Sequence, residues 1–121
     1  MKHRVCDLEG VYLDLAVALW EGWAVEGRVL KAGNLYLPAP FRYSTEWMFG
    51  GPIIEQQGIA IVRIREAAKM SKNTWGEAEW RAFPSDSWVC VQSGSTPLIA
   101  AMRCFVASKY GDEIDLPELP S

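Results

Sequence analysis

Few side chains in this 121-residue chain are suited to nucleophilic or metal chemistry. The single histidine, His3, lies beside a terminus, where side chains are usually solvated, so a Ser–His or Cys–His pair is not favoured. The three cysteines, Cys6, Cys90 and Cys104, form no Cys-x-x-Cys pair, and a zinc site would need ligands from scattered positions. We expect reduced thiols, at least two of them in the core, and no metal ion or cofactor.

Acid–base and phosphate-binding patterns are equally sparse. Four glutamates are candidates for a carboxylate pair, but their spacing does not distinguish them from solvated surface residues: Glu46, Glu55, Glu77 and Glu79. The segment Gly50-Gly51-Pro52 could cradle a phosphate, but it lacks a P-loop lysine, so a structural turn is the preferred interpretation. Thr96 and Pro97 begin a helix whose free N–H groups could meet an anion, although an ordinary N-cap is the simpler explanation. The sequence therefore predicts a protein that is not an enzyme.

A group of large apolar side chains lies in a segment without helical or strand periodicity, from Pro38 to Gly58. Its members are Phe41, Tyr43, Trp47, Met48 and Phe49. Prolines and glycines in this segment predict a long irregular loop in which no helix continues through Gly50-Gly51-Pro52. Such aromatics either cover the core or line a binding surface, and for Trp47 both interpretations stay open. The predicted ligand-binding residues are Phe41, Tyr43, Ser44, Thr45, Trp47, Gly50, Gly51 and Arg103.

Two amphipathic helices frame the segments that would position these residues. Apolar residues recur at helical spacing from about Leu8 to Trp23, with Asp7 as N-cap and Asp14 away from the apolar face. The second helix begins after Thr96, has proline at its first position, and ends at Gly111. Its apolar residues cover most of its circumference, so we expect it to lie across a sheet.

Strand patterns fill the region between the two helices. They predict a hairpin over residues 24–37 with its turn at Gly33-Asn34, a central strand at 59–64, and paired strands at 79–83 and 87–91. The fold class is therefore α+β, with an N-terminal helix, an antiparallel sheet of about five strands and a C-terminal helix packed on the sheet. Length and a hydrophobic content of 50% indicate a single domain over residues 1–111, followed by an extended, mobile acidic tail at 112–121.

Charge and hydropathy argue against two classes of partner. The net charge of −3 argues against nucleic acid and against an anionic membrane surface. No apolar stretch approaches the roughly 20 residues of a membrane-spanning helix, and the N-terminus lacks the apolar run of a secretory signal. We expect a cytoplasmic protein.

Three segments resemble the NinX-like family of small bacteriophage and prophage proteins. The C-terminal run from Thr96 to Pro117 is similar to the family signature. Residues 13–18 form the second segment, and residues 44–47 followed by 50–55 form the third; the segments occur in the same order as in the family. Residues 64–80 depart from the family pattern. The resemblance implies a phage or prophage origin, expression inside a bacterial host and an accessory role; it implies no established activity and no catalytic residues.

Three functions compete under this interpretation. The first is non-enzymatic sequestration of a small host molecule, such as a nucleotide-type immune signal, in a pocket bordered by Trp47, to counter host defence. The second is a module that docks on a host or phage protein through its loop aromatics. The third is a small nucleotide hydrolase, which is disfavoured because few chemical groups are recognisably arranged. A homo-oligomer is expected, because half of the six tryptophans lie in short polar or glycine-rich contexts and would otherwise leave apolar patches in water.

Overall fold

A computed structural model describes residues 2–22, 24–26, 29–32, 35–38, 42–64, 79–85 and 91–117. Of residues 24–26, 29–32 and 35–38, and of Ile64, it describes the backbone alone. The α-helices within these residues are α1 (Gly10–Trp20), α2 (Trp47–Gln57) and α3 (Pro97–Tyr110), and a 3₁₀ turn spans Val5–Asp7.

The described strands form three small antiparallel sheets. One pairs β1 (Lys2–Arg4) with β8 (Glu113–Asp115). The second has the order β2 (Ala24–Glu26), β3 (Val29–Ala32) and β4 (Leu35–Pro38), and the third has the order β5 (Ile59–Ile64), β6 (Glu79–Pro84) and β7 (Gln92–Gly94). The α+β class predicted from the sequence is therefore confirmed, although the described strands are distributed over three sheets and not one.

Helix α3 lies at the centre of the described structure. It begins as predicted, because the Thr96 side chain accepts a hydrogen bond from the N–H of Ile99 and Pro97 takes the first helical position. It ends at Gly111, whose φ of 89° suits glycine. It packs on the β5–β6–β7 sheet, on α1 and on α2, and residues on several of its sides are buried. The predicted packing of this helix on a sheet is confirmed.

Helix α1 is shorter than predicted and is buried in its middle. The residue at its N-cap is Glu9, not Asp7, and its side chain makes no capping hydrogen bond. The turn that follows Trp20 includes Gly22 at a φ of 100°. Residues 13–18 are all buried, and these include Asp14, which the sequence pattern placed on the polar side. A helix that is enclosed by its neighbours has no solvent-exposed polar face, and residues 13–18 of α1 are enclosed in this way.

The predicted long loop is wrong between Trp47 and Gln57, where the chain forms α2. Pro52 lies inside this helix and removes one backbone donor, and Gly58 ends the helix in the left-handed conformation at a φ of 63°. Gly50 and Ile53 lie on its buried side, and α2 packs against α3. The tertiary contacts of that buried side therefore outweigh the poor helix propensity of Gly50-Gly51-Pro52.

Strands β5 and β6 lie where the sequence predicted strands, but their places and partners in the sheet differ from the prediction. Strand β5 was expected at the centre of a sheet, but in the described sheet β6 is central and β5 is at its edge. Strand β6 pairs with β7, with Trp80 opposite Gly94 and Ala82 opposite Gln92, whereas the predicted partner was a strand at 87–91. Most of the predicted strand 87–91 and the turn at Gly33-Asn34 lie outside the described residues.

The two ends of the described chain pair with each other. His3 lies opposite Ile114 in the β1–β8 ladder, and its ring centroid is 4.8 Å from that of Tyr12. Ile114 and Leu116 are buried, so this part of the acidic segment belongs to the folded core, and its predicted mobility is wrong there. His3 is likewise half-buried and paired, not frayed.

None of the described helices has the length and apolar character needed to cross a lipid bilayer.

Candidate functional site

A pocket of about 260 Å³ lies where the starts of α2 and α3 meet. We call it the α2–α3 pocket. The residues that line it are Ser44, Thr45, Trp47, Thr96, Pro97, Leu98 and Ile99. Two segments far apart in sequence thus form one concave surface, and each contributes the first residues of a helix.

The α2 wall begins in the Ser44 turn, residues 43–45, which is held by local backbone bonds. The N–H groups of Thr45 and Glu46 donate to the carbonyl oxygen of Arg42 at 3.3 and 2.9 Å. Helix α2 then begins without a side-chain cap, and the indole of Trp47 is 54% exposed. An uncapped start leaves helix N–H groups without an intrahelical partner.

The α3 wall rests on a close approach between Gly94 of β7 and the first turn of the helix. A methyl group added at Gly94 would lie 2.7 Å from the backbone nitrogen of Ala100 and 2.8 Å from Cγ2 of Ile99. Glycine at this position therefore allows the sheet to support the helix start directly. Pro97 has no N–H, and the N–H of Ile99 donates to the Thr96 side chain. The N–H of Leu98 is therefore the first in the helix that neither residue accounts for.

A buried carboxylate on α1 accepts a hydrogen bond from the backbone of the α2 wall. Oδ1 of Asp14, a residue only 4% exposed in the middle of α1, accepts the backbone N–H of Ser44 at 2.7 Å. Burial raises the pKa of Asp14, and the hydroxyl and backbone N–H of Ser44 oppose that rise by favouring the charged form. The Ser44 hydroxyl oxygen is itself buried and makes no hydrogen bond of standard geometry among the described residues.

The raised pKa of Asp14 predicts a measurable pH dependence. The folded state holds this proton more tightly than an unfolded chain, where an aspartate titrates at about 3.9. The contribution of this tighter proton binding to the free energy of unfolding is therefore fully present below about pH 3.9 and is lost as the pH rises through the folded-state pKa of Asp14. We expect the free energy of unfolding of the wild type, measured against that of Asp14→Asn in urea, to rise as the pH is lowered from 7 towards 4. A difference that stays constant with pH would contradict this.

The structure brings three of the predicted ligand-binding residues to the pocket: Ser44, Thr45 and Trp47. Tyr43 is buried and meets Phe49 edge to face, with ring centroids 6.1 Å apart. Gly50 and Gly51 lie in α2, where Gly50 packs against α3 beside Leu98, and neither lines the pocket. Phe41 lies outside the described residues.

Arg103 lies outside the pocket lining, and its side chain donates hydrogen bonds to backbone carbonyl oxygens. Its Nε donates to the carbonyl oxygen of Leu8 at 2.7 Å, and its Nη1 donates to that of Ser93 at 2.8 Å. One guanidinium group thus joins α3 to the chain before α1 and to β7. These bonds use two of its donors for the fold, on a surface separate from the pocket lining.

The glutamates considered for acid–base chemistry are dispersed. Glu46 lies 3.5 Å from Arg42, and Glu79 lies 3.6 Å from Arg81, in two exposed ion pairs. Glu55 is exposed on α2, and Glu77 lies outside the described residues. Within the described part of the chain, no group of three or more His, Cys, Asp or Glu side chains could hold a metal ion.

Two parts of the site were missed from the sequence. Asp14 was assigned to a polar helix face, although an acidic residue inside the apolar run Leu13–Ala18 is a recognisable sign of a buried, paired carboxylate. Leu98 and Ile99 were assigned to packing alone, and nothing in their types distinguishes a pocket wall from a core. The cap residue Thr96 had been considered for anion binding, and it does line the pocket.

The range of residues that matches a known protein family includes both walls of the pocket. The family model described as Bacteriophage P22, NinX matches residues 4–109. This chain belongs to the NinX family. Among curated proteins, none matches it significantly. As a NinX-family member it is a phage accessory protein, and the matched range extends from β1 to the last turn of α3.

Proposed function

We propose that this NinX-family protein binds a small nucleotide-like host molecule in the α2–α3 pocket and sequesters it without chemical conversion, to counter host defence. The observation that carries the proposal is the pocket itself, which brings Ser44, Thr45 and Trp47 together with the first turn of α3. A concave site with convergent polar groups and one large aromatic ring is the usual form of a small-molecule site.

Electrostatics favour an anionic group at this place. The N-terminus of a helix carries partial positive charge and unpaired N–H groups, and two helices begin at the pocket. The hydroxyl groups of Thr45 and Thr96 lie in the same lining and can donate hydrogen bonds. A phosphate group fits these donors even in a protein whose net charge is −3.

The indole of Trp47 supplies the second half of the recognition. Its exposed face can stack on a planar base, an interaction that contributes roughly 1–3 kcal/mol per base in single-stranded nucleic-acid complexes. The pocket volume of about 260 Å³ is just below the range of roughly 300–1,000 Å³ typical of drug-sized ligands. We therefore expect the phosphate and sugar of a ligand to enter the pocket and the base to lie against Trp47.

The lining also favours binding over turnover. Among the described residues, the groups at the pocket are hydroxyls, an indole and aliphatic side chains, with backbone atoms between them. None of these side chains is a general base at neutral pH, whereas all of them can hold a ligand.

A thermal-shift screen against nucleotides, cyclic dinucleotides and cyclic ADP-ribose isomers tests the proposal. A ligand at 100 times its dissociation constant should stabilise the folded state by roughly 2.7 kcal/mol. Trp47→Ala should abolish that shift. Trp20→Ala is the matched control, because Trp20 is also exposed but packs on Tyr110, away from the pocket. The ligand should be recovered unchanged.

No shift with any compound of the panel would argue against the proposal, as would equal losses in both tryptophan variants. Conversion of the ligand during the incubation would instead indicate an enzyme.

Docking on a host or phage protein is the second candidate. It is favoured by Met48, which is 75% exposed beside Trp47 at the start of α2 and so extends the exposed apolar surface beyond the pocket. The same exposed residues support the proposal of a homo-oligomer. Light scattering of the purified protein should give a mass at least twice that of the 13.6 kDa chain, and a monomer would contradict it.

A further inference from the structure

A buried hydrogen bond from the N–H of Ser44 to Asp14 ties the α2 wall of the pocket to α1. We infer that Asp14 is a positioning residue of the pocket, whose carboxylate fixes the Ser44 turn and thereby places Thr45 and Trp47. This inference rests on the proposed binding function, because it concerns the geometry of that same site.

The bond has the geometry of a strong, protected interaction. Its length is 2.7 Å, and the two residues are 4% and 2% exposed. A carboxylate is a stronger acceptor than a neutral oxygen, and a buried N–H left without an acceptor destabilises the fold. Asp14 and Ser44 are 30 positions apart in sequence, so the bond is a tertiary contact and not part of a local turn.

The backbone hydrogen bonds donated by Thr45 and Glu46 are local. They end on the carbonyl oxygen of Arg42, so they shape the turn without joining it to α1. The Asp14 bond is what joins the turn to a helix buried in the core. Thr45 and Trp47 follow Ser44 within three residues, so a shift of the Ser44 backbone would move both pocket residues.

Packing alone would not explain why a polar acceptor lies at this position. Asp14 lies between Leu13 and Leu15 in an otherwise apolar part of α1, and burial raises its pKa, which is the cost of an acid in such a place. An apolar side chain would avoid that cost. What it would lose is the acceptor that holds the turn.

Three variants separate positioning from packing. Asp14→Leu fills the site with apolar atoms but removes the acceptor. Asp14→Asn keeps an oxygen that can accept the Ser44 N–H but removes the charge. Val17→Ala is the control, because it removes buried packing from the same helix at a residue outside the pocket lining.

The first readout, hydrogen exchange, needs no ligand. In Asp14→Leu we expect the amides of the peptide covering residues 43–47 to exchange at least tenfold faster than in the wild type. Asp14→Asn should restore near wild-type rates, and Val17→Ala should leave these rates unchanged relative to the rest of the molecule. Equal exchange of this peptide in Asp14→Leu and Val17→Ala would overturn the inference. If Asp14→Leu does not fold, Asp14→Ala takes its place in the same comparison.

The second readout is the affinity for AMP, measured by titration calorimetry. We expect Asp14→Leu to bind at least tenfold more weakly than the wild type, and Asp14→Asn and Val17→Ala to bind within a factor of three of it. Faster exchange with unchanged AMP affinity would overturn the positioning role. If the wild type itself does not bind AMP or any other member of the nucleotide panel, the proposed function fails, while the exchange experiment still decides whether Asp14 fixes the turn.

Discussion

Replacing Arg103 with leucine lowers the free energy of unfolding by about 3 kcal/mol or more, because two hydrogen bonds from a charged donor are lost and each contributes about 1.5–3 kcal/mol. The carbonyl oxygens of Leu8 and Ser93, bonded at 2.7 and 2.8 Å, lose this donor together. The guanidinium group joins α3 to β7 and to the chain before α1, so the substitution removes one contact from each of these two junctions. Urea unfolding at pH 7 measures the change.

Arg103→Lys is the control for charge. An ammonium group on a flexible stem cannot reproduce a planar fork aimed at two acceptors, so this variant should recover only part of the lost stability. Folded Arg103→Leu, at a temperature well below its melting point, should bind a ligand of the α2–α3 pocket as the wild type does. A loss of less than 1 kcal/mol, or a large loss of ligand affinity with stability intact, would return Arg103 to the ligand-binding residues predicted from sequence.

Gly50→Ala should destabilise the protein by about 3 kcal/mol, whereas Gly51→Ala should be neutral or stabilising by roughly 0.5–1 kcal/mol. A methyl group at Gly50 would collide with the carbonyl oxygen of Tyr43 and would lie 2.7 Å from Cδ2 of Leu98. The first of these is a backbone atom, which cannot turn aside. The nearest atom to a methyl group at Gly51 is Cε3 of Trp47 at 4.0 Å, an ordinary contact.

The pair of variants is well matched, because both add one methyl group to neighbouring residues of α2 and both raise its helix propensity. The difference in unfolding free energy between them therefore isolates the close contact of α2 with Tyr43 and α3. Equal stabilities would mean that the Tyr43 backbone and α3 can move away from α2. In that case the pocket walls would also be free to separate, and the argument for a preformed site would weaken.

Helix α3 and its limits follow from local sequence alone. A threonine that can cap, a proline whose missing N–H costs nothing at the first helical position, and a glycine after the last turn act within a few residues of each helix end. The apolar run at 59–64 and the segment 79–83 before a turn sequence predicted strands β5 and β6 for the same reason, because strand and turn preferences are local properties. Family membership was also recognisable from the residues themselves, since the matched segments occur in order along the chain.

Helix α2, the strand β8 and the burial of Asp14 depended on contacts between distant residues. Gly50-Gly51-Pro52 disfavours a helix locally, yet its buried side faces α3, and the packing there outweighs that preference. Ile114 in the acidic segment is ordered by pairing opposite His3, which no local pattern at either end of the chain reveals.

The candidate site divides in the same way. Ser44, Thr45 and Trp47 could be selected from the sequence, because large aromatics and hydroxyls next to a structural break are unusual whatever their surroundings. Their partners, the first turn of α3 and the Asp14 carboxylate behind them, lie about 30 to 50 positions away in sequence and became neighbours only when the helices packed. Residue types are local information, whereas a pocket is a relation between surfaces, and only the packing of α1, α2 and α3 creates it.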